Sequence, residues 1–78
     1  MSKNYYLSKS KYCFSQQYIS EIKTEKVKAA MLSETFESTL LVQASNPENA
    51  RIAVIKSIEK DGQFVVIKCR IDDPIIGD

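Results

Sequence analysis

The sequence predicts an α+β fold: a small antiparallel sheet of three to four strands with one main helix packed on one face, in the order β-β-β-α-β. Three observations carry this. A capped, amphipathic segment starts near Pro47, a β-branched run follows it, and an alternating apolar run precedes it. At 78 residues the chain holds at most one domain with one modest core. Residues 12–73 form that domain, between a flexible basic and aromatic arm over residues 1–11 and a tail over residues 74–78.

The first domain residues are read as a strand. Tyr12, Phe14, Tyr18 and Ile22 follow a two-residue period with gaps at Gln16 and Ser20. A helix starting at Ser15 is the alternative for residues 15–26. A second apolar run over residues 27–32 and the run FESTLLVQA (36–44) are expected to pair as strands, with Ser33, Glu34 and Thr35 closing a turn. In 36–44, Phe36, Ser38, Leu40, Val42 and Ala44 share a face. Leu41 alone breaks the polar pattern opposite.

The helix start offers two caps. Asn46 can cap with Pro47 at the first helical position, or Ser45 can cap with Glu48 reaching back. Ala50, Ala53, Val54 and Ile58 then form one stripe with Ile55 beside it, and Ile52 lies away from it. Asp61 and Gly62 end the helix in a turn. The run QFVVIKCRI (63–71) reads as a strand. Simple alternation points Phe64, Val66, Lys68 and Arg70 one way, and sends Val65, Ile67, Cys69 and Ile71 to the core.

Composition removes several function classes. There is no histidine, the commonest general base near neutral pH. Cys13 and Cys69 lack the partners for a zinc shell and are expected to be buried, reduced thiols. The only glycines are Gly62 and Gly77, so no glycine-rich phosphate loop exists. The expectation is a protein with no catalytic residues, no metal and no cofactor. No apolar stretch suits a signal peptide or a membrane span, which points to the cytoplasm and away from membranes.

What remains is binding. Net charge is +1, but residues 1–30 carry six lysines against two carboxylates (+4) and residues 31–78 five cations against eight carboxylates (−3). Such asymmetry suits electrostatic steering of a partner. Two surfaces are expected to carry the contact. One is the arm with Tyr5, Tyr6, Lys9, Lys11 and Tyr12; the other is the sheet face with Phe64, Val66, Lys68 and Arg70. A protein partner is the leading reading, because tyrosine concentrates binding energy at interfaces. Lysines interleaved with tyrosines also suit single-stranded nucleic acid, the alternative. A structural subunit of a larger assembly is the third class. Three or four strands with one helix leave a sheet edge open. Pairing with a second copy, or with a partner strand, would close it, and the reading favours a dimer over a monomer.

The stretch LVQASNPENAR (41–51), within residues 26–71, resembles a hairpin–helix–strand pattern of phage and mobile-element accessory proteins, among them the short anti-CRISPR inhibitors. The resemblance implies a non-enzymatic protein that occupies a partner's working surface. It assigns no functional residues.

Overall fold

In the computed structural model, which describes residues 3–72 and 74, six elements follow one another. They are β1 (Asn4–Phe14), α1 (Gln16–Ser20), α2 (Glu25–Ser33), β2 (Phe36–Ala44), α3 (Pro47–Ile58) and β3 (Phe64–Ile71). The sheet has three antiparallel strands in the order β2-β1-β3. The long first strand is therefore central. β2 and β3 flank it, joined by α3, so the chain from β2 onward is a β-α-β unit split by β1.

The fold class agrees with the sequence; the order of elements differs in three places. Residues 4–11 are not an arm but most of the central strand, in unbroken register with β2 from Asn4↔Ala44 to Tyr12↔Phe36. The inward side of β1 carries Tyr6, Ser8 and Ser10, all buried. Two of these are serines, which hide the inward face from a reading based on apolar residues. Their hydroxyls are satisfied locally: Ser8 Oγ donates to the Leu40 carbonyl at 3.2 Å, and Ser10 Oγ to Cys69 Sγ at 3.6 Å.

Residues 16–20 form a short helix rather than a strand. Ser15 caps it, accepting the Tyr18 N–H at 3.2 Å, and donates from the same hydroxyl to the Gly62 carbonyl at 2.6 Å. Residues 27–32 lie in helix α2 rather than in a strand. None of its residues is buried. Packing therefore does not decide its state, and the strong helix propensity of alanine, methionine and leucine does. The expected tail lies outside the described residues, Pro74 apart.

Helix α3 formed as its caps require. The structure selects Asn46 over Ser45: Asn46 Oδ1 accepts the Asn49 N–H at 2.8 Å, with Pro47 in the first turn. Ala50 and Val54 are the residues it buries, Val54 at 1 % exposure. Ala53 of the expected stripe stays exposed. The core gathers Tyr6, Ala44 and Ala50, with Val42 and Ile71 against them. A second group lies on the same side of the sheet. Tyr12, Phe14, Phe36 and Phe64 pack with ring centroids 5.2 to 5.8 Å apart, and Tyr18 of α1 joins through Phe14.

β3 breaks simple alternation. Its register with β1 shifts between Lys11↔Lys68 and Tyr12↔Val66, which leaves Ile67 as the extra residue of a β-bulge. Phe64 and Val66 therefore turn to the helix side with Cys69 and Ile71. Val65 is exposed, and Ile67 is 56 % exposed. Simple alternation sends these two to the core, and the bulge reverses that expectation.

A cationic open sheet face as candidate binding site

With α3 on one side, the other side of the sheet is left uncovered by the described residues. Alternation along β1 places Tyr5, Leu7, Lys9, Lys11 and Cys13 there. From β2 it adds Glu37, Thr39, Leu41 and Gln43, and from β3 beyond the bulge Lys68 and Arg70. Register sets these into rows across the three strands. One row runs Thr39–Lys9–Arg70 and the next Glu37–Lys11–Lys68. The rows border a shallow depression of about 390 Å³ lined by Lys9, Lys11, Glu37, Thr39, Lys68 and Arg70 among others.

Four cations thus share the middle of one face with Glu37. Lys9 lies directly opposite Arg70, and Lys11 directly opposite Lys68. Like charges placed opposite each other destabilise a sheet. Arg70 finds relief at the margin, where its Nε donates to Asp72 Oδ1 at 2.9 Å. Among the described residues, Lys9, Lys11 and Lys68 take part in no ion pair within 4.0 Å. Apolar groups flank the patch. Tyr5, Leu7 and Leu41 lie toward one end, Leu41 at 59 % exposure, and Cys13 and Val65 lie toward the other.

The nine residues expected to make contact divide between two faces. Tyr5, Lys9, Lys11, Lys68 and Arg70 come together on the open side. Tyr6, Tyr12, Phe64 and Val66 do not join them: Tyr6 is core, and Tyr12 and Phe64 stack in the aromatic group. Period-two alternation separates Tyr6 and Tyr12 from their lysine neighbours, and the bulge turns Phe64 and Val66 away. Leu7, Glu37, Thr39 and Leu41 belong to the face without having been expected there. Leu41 has a visible signal, as the apolar break in the polar side of its strand.

Among the described residues no three Cys, Asp or Glu side chains gather as a metal shell. Cys13 and Cys69 are free and half-buried rather than fully buried, and lie on opposite faces of the sheet. No helix among the described residues is long and apolar enough to cross a membrane. No family model, no curated protein and no solved structure matches the chain.

Proposed function

We propose that this protein is a non-catalytic protein-binding module whose open sheet face covers an acidic surface of a partner protein. One observation carries the reading: two rows of directly opposed cations are held on an otherwise uncovered face, at a cost to the fold, with three lysines free of ion pairs among the described residues. An incoming carboxylate cluster converts that repulsion into attraction. The flanking Tyr5, Leu7 and Leu41 supply apolar area beside the charged centre, a mixture common at protein interfaces. Occupancy of the partner's surface would itself be the activity, as the resemblance to accessory inhibitors implies.

The geometry favours protein over nucleic acid. Sequence-tolerant binding of single strands needs rings exposed beside the cations, so that bases can stack. Here Tyr6, Tyr12, Phe14, Phe36 and Phe64 all face the helix side, and Tyr5 is the one ring of the three strands on the open side.

The test is a direct titration of the labelled chain, at low salt, with an acidic peptide and with a single-stranded oligonucleotide of equal charge. Preferential binding of the peptide, lost in Lys9→Glu/Lys68→Glu and kept in Lys23→Glu, is the expected result. Preference for the oligonucleotide, or binding indifferent to the double reversal, overturns the proposal. Capture from native cell extract with and without nuclease then identifies the partner.

A further inference from the structure

The two edges of the sheet are built differently. β3 carries the devices that keep an edge from pairing: a bulge at Ile67, two cations at Lys68 and Arg70, and a backbone group already engaged. The Val66 N–H donates to Glu59 Oε2 at 3.1 Å, from the end of α3. β2 has none of these. Its nine residues pair with β1 without interruption and contain no Pro, Gly, Lys or Arg. Among the described residues, no backbone hydrogen bond outside the sheet ladder engages this strand.

The direction of its free groups follows from one contact. The Leu40 carbonyl faces β1, where it accepts Ser8 Oγ. The N–H and C=O of one strand residue point to the same side, and the side alternates along the strand. Glu37, Thr39, Leu41 and Gln43 therefore present both of their backbone groups outward.

We propose that β2 pairs antiparallel with β2 of a second copy, about a two-fold axis at Leu40, to make a continuous six-stranded sheet. This register matches outward groups to outward groups, Glu37 with Gln43 and Thr39 with Leu41. It pairs all nine residues and opposes no like charges. It keeps both copies of α3 on one side and both cationic patches on the other. An axis at Thr39 or at Leu41 leaves residues at the strand ends unpaired. The equivalent joint through β3 stacks Lys68 and Arg70 near their copies and meets the bulge.

Leu40 and Leu41 are both exposed on β2, and pairing with a second copy would cover part of their apolar surface.

The test is sedimentation of the full chain, without any partner, so its outcome is independent of the acidic-surface reading. At concentrations up to about 100 µM the expected mass is twice that of the monomer, with dissociation on dilution. Thr39→Pro removes an outward N–H and leaves the β1 ladder intact. Leu41→Lys adds a charge to the edge. Each is expected to weaken dimerisation at least about tenfold with the circular dichroism spectrum unchanged. Should the proline variant unfold, Leu41→Lys decides alone. Facing residues at a non-hydrogen-bonded site have Cα atoms about 4.5 Å apart, within disulfide reach. Leu40→Cys should therefore oxidise to a dimer linked through the two introduced thiols, identified by peptide mapping, in higher yield than Leu41→Cys. A monomer at the highest concentration, a dimer unchanged in the folded Leu41→Lys variant, or better cross-linking through position 41 overturns it.

Discussion

Lys68→Glu should make the protein more stable and its binding site weaker, and the two effects have one cause. Lys68 lies opposite Lys11, which has Glu37 on its other side. Opposed residues in a sheet hold their Cβ atoms about 5 Å apart, and a like-charged pair there costs up to ~1 kcal/mol. Coulomb's law agrees, since two unit charges about 6 Å apart in water repel by ~0.7 kcal/mol. Reversing one charge replaces that repulsion with an attraction of similar size, discounted for exposure, so the swing is about 1 kcal/mol. For a domain of this length, ~1 kcal/mol moves Tm by about 4–8 °C. Net charge passes from +1 to −1, so its magnitude is unchanged and the gain is local.

Salt separates this cause from others. The Debye length falls from about 30 Å at 0.01 M to ~8 Å at physiological ionic strength. Wild-type Tm should therefore rise as salt is added at the low end, and Tm of Lys68→Glu should stay level or fall. Differential scanning calorimetry across that range reads both quantities, with Lys23→Glu in the α1–α2 connection as control. A lower Tm for the variant, or parallel salt dependences, would refute the reasoning about opposed rows.

The remaining predictions concern what holds the sheet and its helix. Glu59→Ala leaves the Val66 N–H without its acceptor and should cost about 1–2 kcal/mol in urea unfolding; Glu59→Gln keeps an oxygen in place and should recover most of it. Gly62 sits at φ +73°, and a methyl group added there would meet nothing within 4 Å, so Gly62→Ala should cost about 1–2 kcal/mol through backbone strain alone. Val54→Ala removes two methyl-sized groups from a buried site and should cost roughly 1.5–2.5 kcal/mol by the same unfolding assay.

Elements whose signals are local are legible in the sequence. Asn46 and Pro47 mark the start of α3, the alternation of 36–44 marks β2, and the β-branched run marks β3 with its ends. Elements whose state depends on a neighbour are not. Ser8 and Ser10 read as polar linker, because their burial rests on a carbonyl of β2 and a sulfur of β3. Composition and spacing single out Tyr5, Lys9, Lys11, Lys68 and Arg70, and these do share one exposed face. The same reasoning groups them with Tyr6, Tyr12, Phe64 and Val66, because spacing within one strand says nothing about a bulge in another.

That bulge answers a conflict of parity. The aromatic group needs Phe64 beside Phe14 and Tyr12, at centroid distances of 5.2 and 5.3 Å, and each such pair adds about 0.5–1.5 kcal/mol beyond its buried area. The other end of β3 needs Ile71 against the cluster of Tyr6, Ala44 and Ala50, and Cys69 beside Ser10. Phe64 and Val66 occupy even positions, Cys69 and Ile71 odd ones, so unbroken alternation cannot turn all four inward. One extra residue reconciles the two ends, and it falls at Ile67, next to the Val66 N–H that Glu59 takes up. The Cys69 end alone determines where Lys68 and Arg70 point. Core packing thus sets the two cations of β3 opposite Lys11 and Lys9, and the open face acquires its charge from the demands of the covered one.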